Sequence, residues 1–151
     1  MKTGFTLMEI LVVLGLMALA VGIIFPSFFS YRNQQVLSGA TSELASLIAS
    51  ARAKTLASEG DTTYGVHFVS TQATLFAGPT YTAGAPGNQV LELNSLLTLS
   101  TISLNGGGAD MIFSRLTGKT SQSGTLTVTL NSDVAQSKTI TVSSTGVITV
   151  N

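Results

Sequence analysis

Residues Phe5 to Phe25 read FTLMEILVVLGLMALAVGIIF. Glu9 is the one charged residue in this run. At about 1.5 Å per residue, a helix over it spans roughly the 30 Å hydrocarbon core of a bilayer. A carboxylate in that setting costs about 2.5–3.5 kcal/mol on insertion scales and calls for a named partner. Ahead of the run stands a short polar leader, Met1–Gly4. A cut between Gly4 and Phe5 would create an α-amino cation at the start of the helix, with Glu9 about one turn further on. Pairing within one chain is open to this arrangement. Pairing between chains does more, because it selects one register between stacked helices.

Gly4-Phe5-Thr6-Leu7-Met8-Glu9 followed by the apolar run resembles the class III signal of type IV prepilins and type II secretion pseudopilins. The resemblance implies that a prepilin peptidase cuts between Gly4 and Phe5 and methylates the Phe5 amine. It implies that Glu9 directs assembly and that Pro26 kinks the helix. Met8 stands where Ile or Val is more frequent. Two plainer readings compete. Ala18-Leu19-Ala20 fits the cleavage site of a secretory signal peptide, although a single Lys and an internal acid are abnormal for one. A plain membrane anchor explains neither Glu9 nor the Gly-Phe junction. A buried soluble helix would need cover on every side, which the rest of the chain does not supply.

Beyond Pro26 the helical pattern resumes. Leu37, Ala40, Leu44, Leu47 and Ala51 recur at spacings of three and four, and Ile48 widens the stripe. Gly60 after Glu59 is the expected C-terminal stop. A helix from Phe5 to Glu59 would be on the order of 80 Å long, more than a domain of this size can bury. Gly22, Pro26 and Gly39 are its local weaknesses. Proline removes an amide donor and clashes with the preceding turn; the alternative is a helix that ends at Phe25 and restarts at Ser27.

After Gly60 the texture changes to short β-branched runs. Tyr64–Ser70, Ala73–Ala77, Val90–Leu93, Leu96–Leu104, Met111–Phe113, Thr125–Leu130, Thr139–Val142 and Val147–Val150 read as strands of a mainly antiparallel sheet. Ala77–Asn88 is a Pro- and Gly-containing loop, Asn105–Gly108 a strong break, and Asn131–Gln136 and Ser143–Gly146 are turns. The expected fold class is α+β, with the amphipathic half of a long N-terminal helix on the sheet. The expected organisation is a leader at 1–4, a membrane or filament-core helix at 5–29, an amphipathic helix at 30–60 and a β-rich domain at 61–151.

The C-terminal half adds a second resemblance. Ile112-Phe113-Ser114-Arg115 with Gly118, then Thr125–Leu130, then Ile140-Thr141-Val142-Ser143 with Gly146, resembles the GspH/FimT-type pilin domain. That group comprises the H-type pseudopilin of type II secretion and related minor type IV pilins. It implies a pilin-like fold and a structural subunit, minor rather than major. Its implied partners are other pilin or pseudopilin subunits, a prepilin peptidase, an inner-membrane assembly platform and the lipid bilayer. The implied location is a single pass in the bacterial inner membrane with the C-terminal domain outside the cytoplasm, followed by a periplasmic or cell-surface filament.

Composition narrows the chemistry. Seven Lys and Arg balance seven Asp and Glu, so the chain carries no net-charge footprint for nucleic acid. Charged residues are 9% of the chain, against roughly 25% in typical soluble proteins. There is no cysteine, which excludes disulfides, thiolate metal sites and cysteine nucleophiles. His67, the only histidine, sits in strand alternation and reads as a sheet-face residue, with no nucleophile pattern beside it. Asp61, Glu92, Asp110 and Asp133 are too dispersed for a calcium loop, and Asn105–Gly108 lacks the ending of a phosphate loop. No enzyme activity, cofactor or metal is expected. Some members of the resembled minor-pilin group bind DNA through basic residues, and Arg115 and Lys119 would be the candidates here. Two cations are too few for strong phosphate-driven affinity, and nucleic acid is not an expected partner.

Overall fold

The computed structural model describes the backbone of residues 4–151 and the side chains of 4–23 and 31–151. It divides into two compact units, Met1–Gln35 and Val36–Asn151. A single helix, α1 (Leu7–Leu56), contributes to both. A 3-10 turn at Glu59–Asp61 follows, and then eight strands.

The first unit is the apolar half of α1. Every described residue from Gly4 to Ile23 is exposed. Among the described residues, no helix is long and apolar enough to cross a membrane. Leu7–Ile23, the apolar helical stretch with described side chains, is roughly 25 Å long. Pro26 falls within the bounds of α1, but its side chain lies outside the described residues, as does the expected kink.

In the second unit the helix buries Leu37, Thr41, Leu44, Ile48, Ala51 and Thr55, a run of alternating steps of four and three. That spacing keeps one face of a 3.6-residue helix toward the core. The expected stripe is therefore corrected in detail: Ala40 and Leu47 are half-buried at its flanks, and two threonines, Thr41 and Thr55, belong to the buried face. Each threonine is satisfied. Thr41 Oγ1 donates to the Leu37 carbonyl at 2.7 Å. Thr55 Oγ1 donates to the Ala51 carbonyl at 2.8 Å and accepts the Tyr64 amide at 2.9 Å. A buried hydroxyl without partners would cost about 1–3 kcal/mol; here Thr55 instead ties the helix to the first strand.

Helix α1 ends at Leu56, three residues before the expected Glu59. Ser58 adopts a left-handed conformation (φ 51°), which breaks the helix before Gly60 is reached. Gly60 itself (φ 60°) lies inside the 3-10 turn. At the other end the helix starts at Leu7 rather than Phe5, because Thr6 caps it.

The strands form two antiparallel four-stranded sheets, not the single sheet expected. The strands are β1 (Tyr64–Val69), β2 (Gln72–Ala77), β3 (Gln89–Glu92), β4 (Leu97–Leu104), β5 (Asp110–Ile112), β6 (Gly124–Leu130), β7 (Asp133–Val142) and β8 (Ile148–Val150). The first sheet has the order β3-β2-β1-β5 and the second β4-β6-β7-β8. In the first, Val66 faces Leu75 on one side and Met111 on the other. In the second, Leu126 lies between Ile102 and Ile140. The inward residues of both sheets join Leu37, Leu44, Ile48 and Ala51 in one apolar core. Each fully buried Leu or Ile there contributes about 1.5–3 kcal/mol.

The largest boundary error concerns β7. It begins at Asp133, not Thr139, so most of the expected turn Asn131–Gln136 is strand. Residues Asp133–Ala135 are exposed, with only Gln136 half-buried before Ser137. A hairpin extending past the core has no buried face, so it has no period-two signal to read.

Candidate assembly site

Two places concentrate the residues singled out from the sequence: the start of α1 and the loops at its C-terminal end. At the start, Thr6 Oγ1 accepts the Glu9 amide at 3.2 Å, and the Thr6 carbonyl accepts the amides of Glu9 and Ile10 at 3.1 and 3.2 Å. Thr6 is thus the N-cap and Glu9 the third helical residue. The Thr6-Leu7-Met8-Glu9 spacing is that of a capping box, a signal present in the sequence and missed by the reading above. The cap settles the Glu9 amide, one of the donors that would otherwise point to solvent or lipid. Glu9 lies in the first turn, where the helix dipole favours a negative charge. Its carboxylate is exposed and forms no ion pair among the described residues.

Phe5 is 80% exposed, and Leu7, Met8, Ile10, Leu11 and Leu14 are exposed with it. Among the described residues, and apart from its chain neighbours, no atom lies within 4 Å of where a Cβ on Gly4 would stand. The junction between Gly4 and Phe5 is therefore sterically open. An acidic side chain among exposed apolar ones can pair with a cation brought by another molecule while the apolar surface is covered.

At the other end of α1, two loops close on the helix. Arg52 Nε donates to the Gly118 carbonyl at 3.1 Å, and its Nη2 lies 3.5 Å from the Thr145 carbonyl. The loops meet so tightly that a Cβ on Gly146 (φ 79°) would lie 2.1 Å from the Gly118 carbonyl oxygen. A left-handed φ and this close approach both require glycine there. Gly118 and Gly146 are among the residues that carry the C-terminal resemblance; this contact is the physical reason for Gly146, while Gly118 has its own left-handed φ of 61° and a Cβ there would crowd Arg52 Nε at 3.0 Å and Leu56 at 3.1 Å. Lys54 donates to Glu59 at 2.7 Å. That bond raises the Lys54 ammonium above its ordinary pKa, against a smaller opposing effect of desolvation.

Arg115 donates to the Asp61 carbonyl at 3.0 Å and also to the Asp61 carboxylate. Lys119 is exposed and makes no ion pair among the described residues. The two cations proposed as a nucleic-acid contact therefore differ: one is matched by a carboxylate and one is free. His67 Nδ1 lies 2.5 Å from Asp110 Oδ1, a pairing across β1 and β5 that sequence distance concealed. The His67 ring is also stacked on Tyr81, with centroids 3.9 Å apart and planes within 4°. Tyr81 in turn meets Phe76 edge-on at 5.5 Å. These contacts fasten the loop after β2 onto the first sheet. Among the described residues, no three acidic or histidine side chains group as a metal site would require.

Among curated proteins, none matches the sequence significantly. Two crystal structures of the type IV minor pilin FimU of Pseudomonas aeruginosa (strain PAO1) resemble the fold. In space group P65 the TM-score is 0.59 at 14% identity, covering 76% of this chain and 92% of that one. In space group P21 the TM-score is again 0.59 at 14% identity, covering 82% and 92%. At that identity the likeness establishes a shared pilin-like α+β fold. The sequence itself supplies the family: residues 40–146, which take in the C-terminal third of α1 and every strand but β8, match the model of the type II transport protein GspH. The chain belongs to the GspH family.

Proposed function

We propose that this chain is a non-catalytic subunit that is cut between Gly4 and Phe5, N-methylated on Phe5, and assembled through α1 into a type II secretion pseudopilus or a type IV pilus-like filament. The observation that carries the proposal is Glu9, which forms no ion pair among the described residues, on the exposed apolar stretch Gly4–Ile23. Before assembly the run Phe5–Phe25 sits in the inner membrane, with the β-rich unit outside the cytoplasm and Pro26 bending the helix near the membrane surface. In the filament that helix exchanges lipid for other apolar helices, and Glu9 gains the amine of a neighbouring Phe5. The peptidase and the inner-membrane platform are the partners of these two steps. The minor-subunit role follows from the H-type family. The DNA-uptake alternative has less support, because Arg115 is engaged by Asp61, and of the two cations only Lys119 makes no ion pair among the described residues.

The test uses the full chain in a host with a prepilin peptidase and a filament system. Mass spectrometry should find a mature chain that begins at methylated Phe5, and a mature start at Val21 would refute the reading in favour of a signal peptide. Glu9→Gln, Glu9→Val and Glu9→Leu should insert and be processed like the wild type yet incorporate poorly into filaments. Glu9→Leu inserts at least as well as the wild type, because it removes the carboxylate penalty of about 2.5–3.5 kcal/mol. Normal incorporation of Glu9→Leu at native expression would remove the pairing mechanism.

A further inference from the structure

The Asn105–Gly108 break has no part in the assembly reading. It joins β4 of the second sheet to β5 of the first. The Gly107 amide donates to the Leu104 carbonyl at 3.0 Å, so Leu104–Gly107 is a tight turn with Asn105 and Gly106 at its centre. Gly106 (φ 85°) supplies the positive φ that the third position of a type II turn requires. Gly107 and Gly108 follow it, and among the described residues no atom outside the chain neighbours lies within 4 Å of where a Cβ on any of the three would stand. The turn is exposed from Asn105 to Gly108, so it has room to change shape.

Asn105 is the only asparagine in the chain that a glycine follows. Its main-chain amide donates to the Ser123 carbonyl at 2.8 Å, and its side-chain Nδ2 donates to the Ser121 carbonyl at 3.2 Å. Among the described residues, neither Asn105 Oδ1 nor the Gly106 amide has a hydrogen-bond partner. An unengaged amide nitrogen therefore stands next in the chain to an unengaged side-chain carbonyl, and attack of one on the other closes a five-membered ring. Glycine favours that closure, because no side chain on Gly106 hinders the approach and its backbone adopts the conformations the ring needs. Asn131 is the internal contrast. Its Nδ2 donates to the Ser95 carbonyl at 2.9 Å, its Oδ1 accepts Thr98 Oγ1 at 2.7 Å, and a serine follows it.

We propose that Asn105-Gly106 is a self-modification site, at which Asn105 converts without an enzyme to aspartate and isoaspartate through a cyclic imide. The Gly106 nitrogen bonds to Asn105 Cγ, the Cγ–Nδ2 bond breaks, and the Gly106 amide proton leaves with Nδ2 as ammonia. Water then opens the imide. Cleavage of the new N–Cγ bond gives aspartate, and cleavage of the original peptide bond gives isoaspartate, with the water proton on nitrogen and its oxygen in the new carboxylate. Either product adds one negative charge to a chain whose seven basic and seven acidic residues balance. Either also removes Nδ2, so the Ser121 carbonyl loses its donor. Isoaspartate lengthens the main chain by one carbon inside the Leu104–Gly107 turn. The connection between the two sheets thus loosens as the molecule ages, and old copies differ from new ones in charge. The inference stands apart from the assembly reading and survives its failure.

The test ages the full-length chain in mild detergent and warm, mildly alkaline buffer. Isoelectric focusing, peptide mass mapping and labelling by an isoaspartyl methyltransferase then read the products. A species one charge more acidic should accumulate, heavier by about 1 Da, with the change at residue 105 and isoaspartate among the products. Amide exchange at residue 105 and Gly107 should quicken in the aged chain, while Leu126 in the middle of the second sheet exchanges as before. Gly106→Ala should slow the conversion about tenfold or more. Asn105→Gln keeps a side-chain amide but would have to close a larger ring, and should abolish the acidic species; it decides the matter if Gly106→Ala fails to fold. Three results would overturn the proposal. One is an intact Asn105 in the folded chain after a denatured sample has converted. Another is aspartate without isoaspartate, which means direct hydrolysis. The third is conversion at Asn131 as fast as at Asn105.

Discussion

The two halves of α1 are both rich in apolar residues, yet they meet opposite fates. From Gly4 to Ile23 every described side chain is exposed, whereas from Leu37 to Thr55 six residues on one face are buried. The difference lies in arrangement rather than in hydrophobicity. The second half sets its apolar residues at steps of three and four between Arg, Glu, Ser and Lys, so one face meets the sheets and the other meets solvent. The first half is apolar all round, which suits a uniform apolar surrounding and no single protein face. One continuous helix thus carries a part whose partners are inside the chain and a part whose partners are outside it.

Truncation should break that comparison most sharply. Leu44 is fully buried, with 0% exposure. Leu44→Ala should destabilise the β-rich unit by about 2–5 kcal/mol, measured by denaturant unfolding of the full chain in mild detergent. Leu14→Ala in the exposed half should change the same midpoint by less than about 0.5 kcal/mol. Equal losses would mean that the two halves are stabilised alike.

Gly146→Ala sharpens the contrast from the sheet side. The added Cβ meets the Gly118 carbonyl at 2.1 Å and sits on a left-handed backbone, so the loops must part. The expected cost is about 1–3 kcal/mol, with faster amide exchange at Gly118 and Ser114. The amides of Glu9 and Ile10 should exchange as before.

Thr6→Val tests the opposite end and should have the smallest effect. Loss of the cap should cost helix α1 about 0.5–2 kcal/mol locally, read as faster exchange of the Glu9 amide. The unfolding midpoint of the β-rich unit should stay where it is. A shift in that midpoint would show that the cap stabilises more than the first turn.

How much of this was legible depends on how local the cause was. The helix, its apolar and amphipathic halves and most strands announce themselves by period within a few residues. Glu9 and Phe5 stand out because a charge and a small-residue junction interrupt an apolar run. Thr41 and Thr55 were passed over because a polarity pattern scores them as surface, although a buried hydroxyl bonded to the preceding helical turn behaves as core. The division into two sheets was invisible, since it depends on β5 returning to β1 while β4 pairs with β6 across the glycine break. The same holds for Arg52 with Gly118 and for His67 with Asp110, where each residue is ordinary alone and the fold makes the pair.

Thr55 carries a consequence of a mechanical kind. In the filament proposed above, a subunit is pulled along its helix when the fibre is loaded. The buried stripe from Leu37 to Thr55 then bears that pull in shear, with all its contacts sharing the load together instead of peeling one by one. Thr55 sits at the end of the stripe as a bolt, because its hydroxyl joins the helix carbonyl of Ala51 to the Tyr64 amide at the first residue of the sheet. Force entering through α1 is thereby handed to the backbone of β1, whose partners β2 and β5 spread it across the first sheet.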